Sequence, residues 1–282
     1  MQIAIASGKG GTGKTTVATS LAFVAARTGR SVAYLDCDVE EPNGSIFLRP
    51  AVDCVRPIER LIPLVDSDRC IHCGECAQFC CFGAIASLPQ KTVFFPELCH
   101  SCGGCKLTCL TDAIHEKPRR IGTLREGNSK PIRWVEGVLN VGETMSPPAI
   151  RAVKAAAPPA DLVILDAPPG TSCPVVETIR GSDFVLLVTE PTPFGLHDLT
   201  LAVEMVRSMR LPHGIVVNRA GVGNGEVRSF CERNGLSVFA EIPDSREVAE
   251  TYARGQTIVE SVPAFAKCID ELLARLNREL AA

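Results

Sequence analysis

The chain has 282 residues, a formal net charge of −3 and 46% hydrophobic residues. These values are typical of a folded globular protein; they exclude global disorder and give no basic excess that would indicate nucleic acid as the main partner. The apolar start of the chain is too short for a signal peptide, and no apolar run reaches the roughly 20 residues of a membrane-spanning helix, so we expect a cytoplasmic protein without a membrane partner.

Short apolar strands alternate with helical stretches along most of the chain. Strands are predicted at residues 3–6, 32–35, 162–165, 184–188, 215–217 and 237–242. Helices are predicted directly after Gly13 and at residues 147–157, 173–181, 195–210, 225–234, 245–254 and 263–280. This alternation predicts an α/β fold with a doubly wound, mostly parallel sheet covered on both faces. Ligands of such sheets bind at the carboxyl ends of the strands.

The first strand leads into a glycine-rich loop that opens a helix. The loop fits G-x-x-x-x-G-K-[ST], and the residues predicted to bind nucleotide are Gly8, Lys9, Gly10, Gly11, Thr12, Gly13, Lys14, Thr15 and Thr16. Glycines let backbone N–H groups close around phosphate oxygens, and the helix N-terminus adds partial positive charge. We expect Lys14 to reach the β- and γ-phosphates and Thr15 to bind Mg²⁺. The loop therefore predicts a site for ATP or ADP.

A second lysine, Lys9, stands just after the first glycine of this loop. The form K-G-G-x-G-K-T resembles the MinD/ParA/Mrp branch of P-loop ATPases, to which the nitrogenase iron protein also belongs. The resemblance implies that Lys9 reaches the nucleotide of a second copy across a dimer interface. It therefore implies an ATP-dependent homodimer, and it covers about residues 1–48 and 135–282.

Two later segments extend the resemblance. Asp38 follows the second strand, as in the first switch of the family, which implies that it orients the attacking water close to Mg²⁺. The run from Asp166 to Thr171 matches the second switch, D-x-P-P-G-T, of the Mrp-like members. There Asp166 would bind Mg²⁺ through water, and Gly170 would let the backbone turn toward the γ-phosphate. The resemblance further places Asn218, Pro243 and Asp244 beside the adenine, and it gives hydrolysis to Lys9, Lys14, Asp38 and Asp166.

Nine of the 14 cysteines lie between Cys70 and Cys109, and all of these except Cys81 belong to two repeated runs. The spacing C-x2-C-x2-C-x3-C occurs twice, at an offset of 29 residues. This is the spacing of bacterial ferredoxins, in which the fourth cysteine of each run ligates the other cluster. We therefore assign one 4Fe-4S cluster to the first cysteine set, Cys70, Cys73, Cys76 and Cys109. The other cluster is assigned to the second cysteine set, Cys80, Cys99, Cys102 and Cys105.

Two alternatives concern the metal. Bacterial ferredoxins usually have proline after the fourth cysteine of a run, whereas Cys81 and Leu110 stand there in this chain. Cys81 is a spare thiol beside Cys80, so ligand exchange between the two stays open. Zinc is the competing interpretation, because C-x2-C pairs also suit tetrahedral zinc. Two complete runs of four cysteines favour iron–sulfur clusters.

The cysteine stretch interrupts the alternation of strands and helices. We predict an inserted, small α+β ferredoxin-like domain at residues 66–116 and a P-loop ATPase domain made of residues 1–65 and 117–282. Residues 117–133 contain six basic residues and one acidic residue. We expect them to return to the core as a hairpin or loop, which either is simply solvated or docks an acidic partner.

Three functions compete. The favoured one is an ATPase that couples nucleotide-driven homodimer switching to electron transfer through two 4Fe-4S clusters, with an unidentified redox partner. The alternative is an iron–sulfur cluster carrier of the Mrp type, although the late cysteines Cys231 and Cys268 form no C-x2-C pair. The third is a MinD-like spatial regulator with a redox sensor. That role needs a basic amphipathic tail, whereas residues 264–282 contain three basic and three acidic residues.

Overall fold

The computed structural model of the chain describes residues 1–223 and 225–281. Its strands are β1 (Gln2–Ala6), β2 (Val32–Asp36), β3 (Ala51–Val65), β4 (Ile85–Leu88), β5 (Lys91–Phe94), β6 (Ile114–Ser129), β7 (Ile132–Leu139), β8 (Leu162–Asp166), β9 (Phe184–Thr189), β10 (His213–Ala220) and β11 (Val238–Pro243). Its helices are α1 (Lys14–Arg27), α2 (Gly44–Leu48), α3 (Glu75–Phe79), α4 (Gly104–Leu107), α5 (Pro147–Ala155), α6 (Cys173–Ile179), α7 (Pro193–Ser208), α8 (Glu226–Arg233), α9 (Arg246–Ala253), α10 (Ile258–Ser261) and α11 (Pro263–Ala281).

Within these residues one nine-stranded sheet forms the centre of the molecule, in the order β11-β10-β9-β1-β8-β2-β7-β6-β3. Every pairing from β11 to β7 is parallel, whereas β7 with β6 and β6 with β3 are antiparallel. The predicted mostly parallel sheet is confirmed. No helix in the described part of the chain is both long and apolar enough to cross a membrane.

The hydrophobic core lies on both faces of the sheet. Ile3 and Ile5 of β1 pack on the side of α1 and α11, while Ala4 and Ala6 pack on the side of α5 and α7. Successive side chains of a strand point to opposite faces, so a strand between two helix layers must be apolar throughout. This explains why the central strands read as uninterrupted apolar runs.

The antiparallel end of the sheet is built by a long pair of strands, β3 and β6, which we call the stem. Their pairing runs from Ala51 with Asn128 to Val65 with Ile114. The basic residues 117–133 form most of β6 and the turn into β7, so this region is a hairpin rather than an irregular loop. The sequence pattern indicated no strand at 51–65, because that segment carries prolines and charges and is largely exposed.

Residues 66–113 connect the two strands of the stem at its far end. They contain α3, α4 and a small antiparallel pair of β4 with β5. The backbone repeats with the offset of the cysteines: left-handed φ values recur at equivalent positions, namely His72 and Ser101, Gly74 and Gly103, and Gly83 and Asp112. The limits of an independent domain at 66–116 stay a prediction.

Candidate functional site

A cavity of about 440 Å³ lies where the loops after β1, β2, β8, β10 and β11 meet. This volume falls in the usual range for small-molecule sites. The predicted nucleotide-binding residues that line it are Gly10, Gly11, Gly13, Lys14, Thr15, Thr16, Asp38, Asn218, Pro243 and Asp244. Residues far apart in the sequence are therefore brought together at the carboxyl ends of the parallel strands, as expected for this sheet type.

The glycine-rich loop is held by close backbone packing. Gly13 has a φ of 95°, and a Cβ atom there would lie 2.4 Å from Nδ2 of Asn218. The same Nδ2 donates a hydrogen bond of 2.8 Å to the carbonyl oxygen of Thr12. At Gly8 a Cβ atom would lie 2.2 Å from the carbonyl oxygen of Asp198 in α7. Asn218 thus supports the loop as well as lining the cavity.

Asp36 serves the backbone rather than the cavity. Its Oδ2 accepts hydrogen bonds from the N–H groups of Asn43 and Gly44, at 3.1 and 2.9 Å, and its Oδ1 accepts one from Asp38. Burial, together with the nearby charge of Asp166, raises the pKa of Asp36 well above its ordinary value. These contacts fix the turn that presents Asp38.

Asp166 is buried at the end of β8 and holds one carboxylate oxygen free of protein partners. Its Oδ2 accepts a hydrogen bond of 2.7 Å from the hydroxyl of Tyr34, whereas its Oδ1 is buried with no hydrogen-bond partner. Burial raises the pKa of Asp166, while the charge of Lys14 and the nearby hydroxyl of Thr15 oppose that rise. An unpartnered carboxylate oxygen close to a threonine hydroxyl is a donor set that suits Mg²⁺. Thr15 and Asp166 would hold the ion.

Asp38 and Gly170 complete the two switch-like segments. Asp38 lines the cavity, and burial raises its pKa to about 6 against the opposing charge of Lys14. Gly170 has a φ of 99°, and its N–H donates a hydrogen bond of 3.0 Å to the carbonyl oxygen of Ser7. The segment from Asp166 to Thr171 is therefore hydrogen-bonded to the residue just before the glycine-rich loop.

Lys9 is engaged within the same molecule. Its ammonium group forms an ion pair with Glu190, the residue that follows β9. Arg219, 3.4 Å away, and the hydroxyl of Thr192 also contact that carboxylate. Although burial alone would raise the pKa of Glu190, the hydrogen bond and charge of Lys9 hold it below the ordinary value. In this conformation Lys9 is bound to a carboxylate rather than directed at a nucleotide.

Tyr34 and Glu190 are site residues that the sequence analysis missed. Glu190 is a polar residue directly after an apolar strand, the same place in the sequence pattern that Asp166 has after residues 162–165. Tyr34 gives no such signal, because an aromatic residue inside an apolar strand indicates only the core. Its hydroxyl becomes informative once the pairing of β2 with β8 places it beside Asp166.

The eight clustered cysteines separate into two groups in space. The first cysteine set, Cys70, Cys73, Cys76 and Cys109, lines one cavity. The second cysteine set, Cys80, Cys99, Cys102 and Cys105, lines another, together with Cys81. Each group contains three cysteines of one run and the last cysteine of the other, which is the crossed arrangement expected from the repeat.

Backbone N–H groups point at two of these sulfurs. Ser101 donates to Sγ of Cys99 at 3.3 Å, and Ala113 donates to Sγ of Cys109 at 3.2 Å. Burial raises the pKa of Cys105 to about 11. Among the residues that the structure describes, no group of three or more His, Cys, Asp or Glu side chains is close enough to hold a single metal ion.

The fold and the sequence match known proteins. Residues 3–258 match the CobQ/CobB/MinD/ParA nucleotide binding domain. An uncharacterised protein of Methanocaldococcus jannaschii is 34% identical over 98% of this chain and 96% of its own length. An iron-sulfur cluster carrier protein of Pyrococcus horikoshii is 26% identical over 99% of this chain and 86% of its own length.

A solved structure has the same fold. The septum site-determining protein MinD from Pyrococcus horikoshii, complexed with Mg-ADP, superposes with a TM-score of 0.60 at 20% identity, covering 99% of this chain and 96% of that chain. The cavity lined by the predicted nucleotide-binding residues and the matching domain agree with this fold. The chain belongs to the CobQ/CobB/MinD/ParA nucleotide-binding family and is a P-loop ATPase of the MinD/ParA type.

Proposed function

We propose that this ATPase binds two 4Fe-4S clusters in an inserted domain at residues 66–116, and that ATP-dependent pairing of two copies controls electron transfer through them. One observation carries the proposal: the eight cysteines line two cavities in crossed groups of four. Random clustering of thiols would give no reason for the last cysteine of each run to join the other group. The two-cluster spacing gives that reason directly.

The chemistry of the two cavities suits a cluster. All four potential ligands of each set are thiols, and the cavity of the second cysteine set is otherwise walled largely by apolar side chains such as Phe79, Phe94 and Ile85. N–H groups that donate to Cys99 and Cys109 would stabilise thiolate sulfur, and hydrogen bonds to sulfur are among the factors that set cluster potentials. When bound, the clusters would supply one-electron transfer.

Two complete runs of four cysteines with ferredoxin spacing favour a cube over zinc. Tetrahedral zinc needs all four sulfurs about 2.3 Å from a single ion. In a 4Fe-4S cube each cysteine binds a different iron, so the sulfurs do not converge on one point.

The nucleotide site supplies the switch. Lys14 and the loop glycines would bind the phosphates, Thr15 and Asp166 would hold Mg²⁺, and Asp38 would orient the attacking water. Lys9 would leave Glu190 in the presence of ATP and reach the phosphates bound by a second copy. Two bound clusters add about four negative charges to each copy, so shared phosphate contacts would offset the repulsion between protomers.

A carrier of the Mrp type is the second candidate. It is favoured by the 26% identity to an iron-sulfur cluster carrier protein of Pyrococcus horikoshii. In this interpretation the clusters of the two cysteine sets, or one of them, would be cargo for transfer to client proteins. The late cysteines Cys231 and Cys268 lack the C-x2-C spacing, so a carrier role would have to use the clustered cysteines.

Iron analysis tests the cluster assignment. The chain purified without oxygen is expected to contain about eight irons and a matching amount of sulfide, with EPR signals after reduction by dithionite. Cys76→Ser is expected to damage one cluster and Cys105→Ser the other. Cys54→Ser, at an exposed cysteine of β3, is the matched control and should retain all iron. Zinc in place of iron, or one cube per chain, would refute the assignment.

Two further measurements separate the candidate functions. An electron-transfer protein should reduce an acceptor in an ATP-dependent manner while keeping its iron. A carrier should lose iron to an apo-protein at the same rate at which that protein gains it. If iron passes to the apo-protein and no acceptor is reduced, the carrier function is correct and the electron-transfer proposal is wrong.

A further inference from the structure

A buried ion-pair cluster lies in the half of the stem nearer residues 66–113, beside the second cysteine set. Arg60 of β3 and Glu143 have side chains only 2% and 3% exposed, and their charged atoms are 2.9 Å apart. Arg119 stands opposite Arg60 in the strand pairing and contacts the other oxygen of Glu143 at 2.6 Å. Burying Arg60 beside a second arginine, the 26% exposed Arg119, is costly unless a carboxylate bridges the two charges. Glu143 supplies that bridging carboxylate.

Arg60 reaches directly into the second cysteine set. Its guanidinium donates hydrogen bonds to the carbonyl oxygens of Cys99 and, at 3.0 Å, of Pro96. It also contacts the sulfur of Met145 at 3.5 Å. The guanidinium thus joins the backbone that carries a predicted cluster ligand to the segment 143–146.

The other end of that segment contacts the loop that carries Asp38. Ser146, at the start of α5, donates a hydrogen bond of 2.9 Å from its hydroxyl to the carboxylate of Glu40. Glu40 lies two residues after Asp38, which lines the cavity. The intervening Val39 accepts a hydrogen bond of 2.8 Å from the N–H of Leu139. A continuous set of contacts therefore runs from the nucleotide cavity to Cys99.

We propose that Arg60 is a positioning residue for the cluster of the second cysteine set, and that the contacts from Glu40 through Ser146 and Met145 to Arg60 make this cluster, rather than the other, sensitive to the bound nucleotide. This inference rests on the proposed function, because it requires the clusters to be present. It goes further by naming the cluster that responds to the nucleotide and the residues that transmit the response.

The physical reason is electrostatic. A cluster gains one negative charge on reduction, so a nearby buried cation favours the reduced form and raises the reduction potential. Arg60 contacts the backbone of the second cysteine set, and no corresponding arginine contact to the first cysteine set is found among the described residues. Any displacement of Asp38 and Glu40 that moves segment 143–146 also changes the position of this charge.

The first experiment is an anaerobic redox titration of the full chain, monitored by EPR. Arg60→Met is expected to lower the potential of the second cluster by at least 59 mV, which is a tenfold change for a one-electron couple. Glu143→Gln removes the opposite charge and is expected to raise the same potential. If Arg60 and Glu143 only stabilised the fold, the two substitutions would not shift the potential in opposite directions. The cluster lost in Cys105→Ser identifies which signal belongs to the second cysteine set.

Arg56→Met is the matched control. Arg56 lies on the same strand and is also paired with a glutamate, Glu126, but its side chain is 53% exposed. Its removal should leave both potentials unchanged. If Arg60→Met reduces the yield of folded protein, Arg60→Lys, which keeps the charge and loses the forked donors, and Glu143→Gln still test the sign of the effect.

The second experiment compares ADP with a non-hydrolysable ATP analogue. In the wild-type chain the two nucleotides should give different potentials for the second cluster and equal potentials for the first. Ser146→Ala should abolish that difference while leaving the nucleotide affinity of the oxidised chain unchanged.

Equal shifts of both clusters, or a difference that survives in Ser146→Ala, would overturn the inference. If the chain binds no iron, the proposed function itself fails, which is a separate outcome. If it binds eight irons and Arg60→Met leaves both potentials unchanged, only the present inference fails.

Discussion

Replacing Glu190 by glutamine should strengthen the ATP-dependent pairing of two copies. The ion pair with Lys9 holds this lysine within its own molecule, and the lysine must be released before it can reach a second nucleotide. Glutamine has nearly the same shape as glutamate but lacks the charge. We therefore expect Glu190→Gln to lower the cost of releasing Lys9 without disturbing the surrounding fold.

The burial of the pair sets the magnitude of this effect. The side chain of Lys9 is 30% exposed and that of Glu190 is 10% exposed, so the pair is intermediate between surface and interior. Surface ion pairs contribute up to about 1 kcal/mol, and buried hydrogen bonds to charged groups about 1.5–3 kcal/mol. An intermediate value of about 1.4 kcal/mol corresponds to a tenfold change in an equilibrium constant. Because two lysines are released in a symmetric dimer, the dimer Kd should fall about a hundredfold.

Sedimentation velocity with ATP measures this effect. Asp38→Asn serves as the background, since it is expected to bind ATP and hydrolyse it slowly. Adding Glu190→Gln should tighten the dimer, whereas adding it together with Lys9→Ala should not, because there is no lysine left to release. Glu241→Gln removes an exposed ion pair with Arg228 and is the matched control. An unchanged or weaker dimer in Asp38→Asn/Glu190→Gln would refute the reasoning.

Three further predictions concern the nucleotide site. Gly8→Ala should destabilise the fold by roughly 1–3 kcal/mol in chemical denaturation, because its Cβ would meet the backbone of α7, whereas Gly10→Ala, with 4.0 Å to its nearest neighbour, should be close to neutral. Lys14→Ala should abolish nucleotide binding in calorimetry, while Asp38→Asn should bind and turn over slowly; normal turnover would show that Asp38 is misassigned. Tyr34→Phe removes a hydrogen bond to a buried carboxylate, so half-maximal ATPase activity should require about tenfold more Mg²⁺.

The elements of the parallel sheet and the glycine-rich loop could be predicted because their signals are local. An unbroken apolar run indicates a buried strand, and the glycines together with Lys14 indicate the phosphate-binding loop. The crossed grouping of cysteines was also predictable, because in the ferredoxin spacing the fourth cysteine of each run, Cys80 or Cys109, joins the other run.

The remaining features depend on contacts between distant residues. Strand β3 lacks an apolar periodicity because it lies at the end of the sheet and is largely exposed. Glu190 is 181 residues from Lys9, and Tyr34 is 132 residues from Asp166. Nothing near either residue in the sequence indicates its partner, and only the order of the strands brings them together.

The outer position of β3 has a consequence for how copies of the chain can associate. A long strand with one free edge offers N–H and C=O groups on which another strand can build. In β3, Pro57 and Pro63 have no N–H to offer, and irregular pairing at Val52/Cys54 and Ile58/Glu59 breaks the regular spacing of the rest. Growth of the sheet from one molecule into the next is therefore disfavoured along this edge.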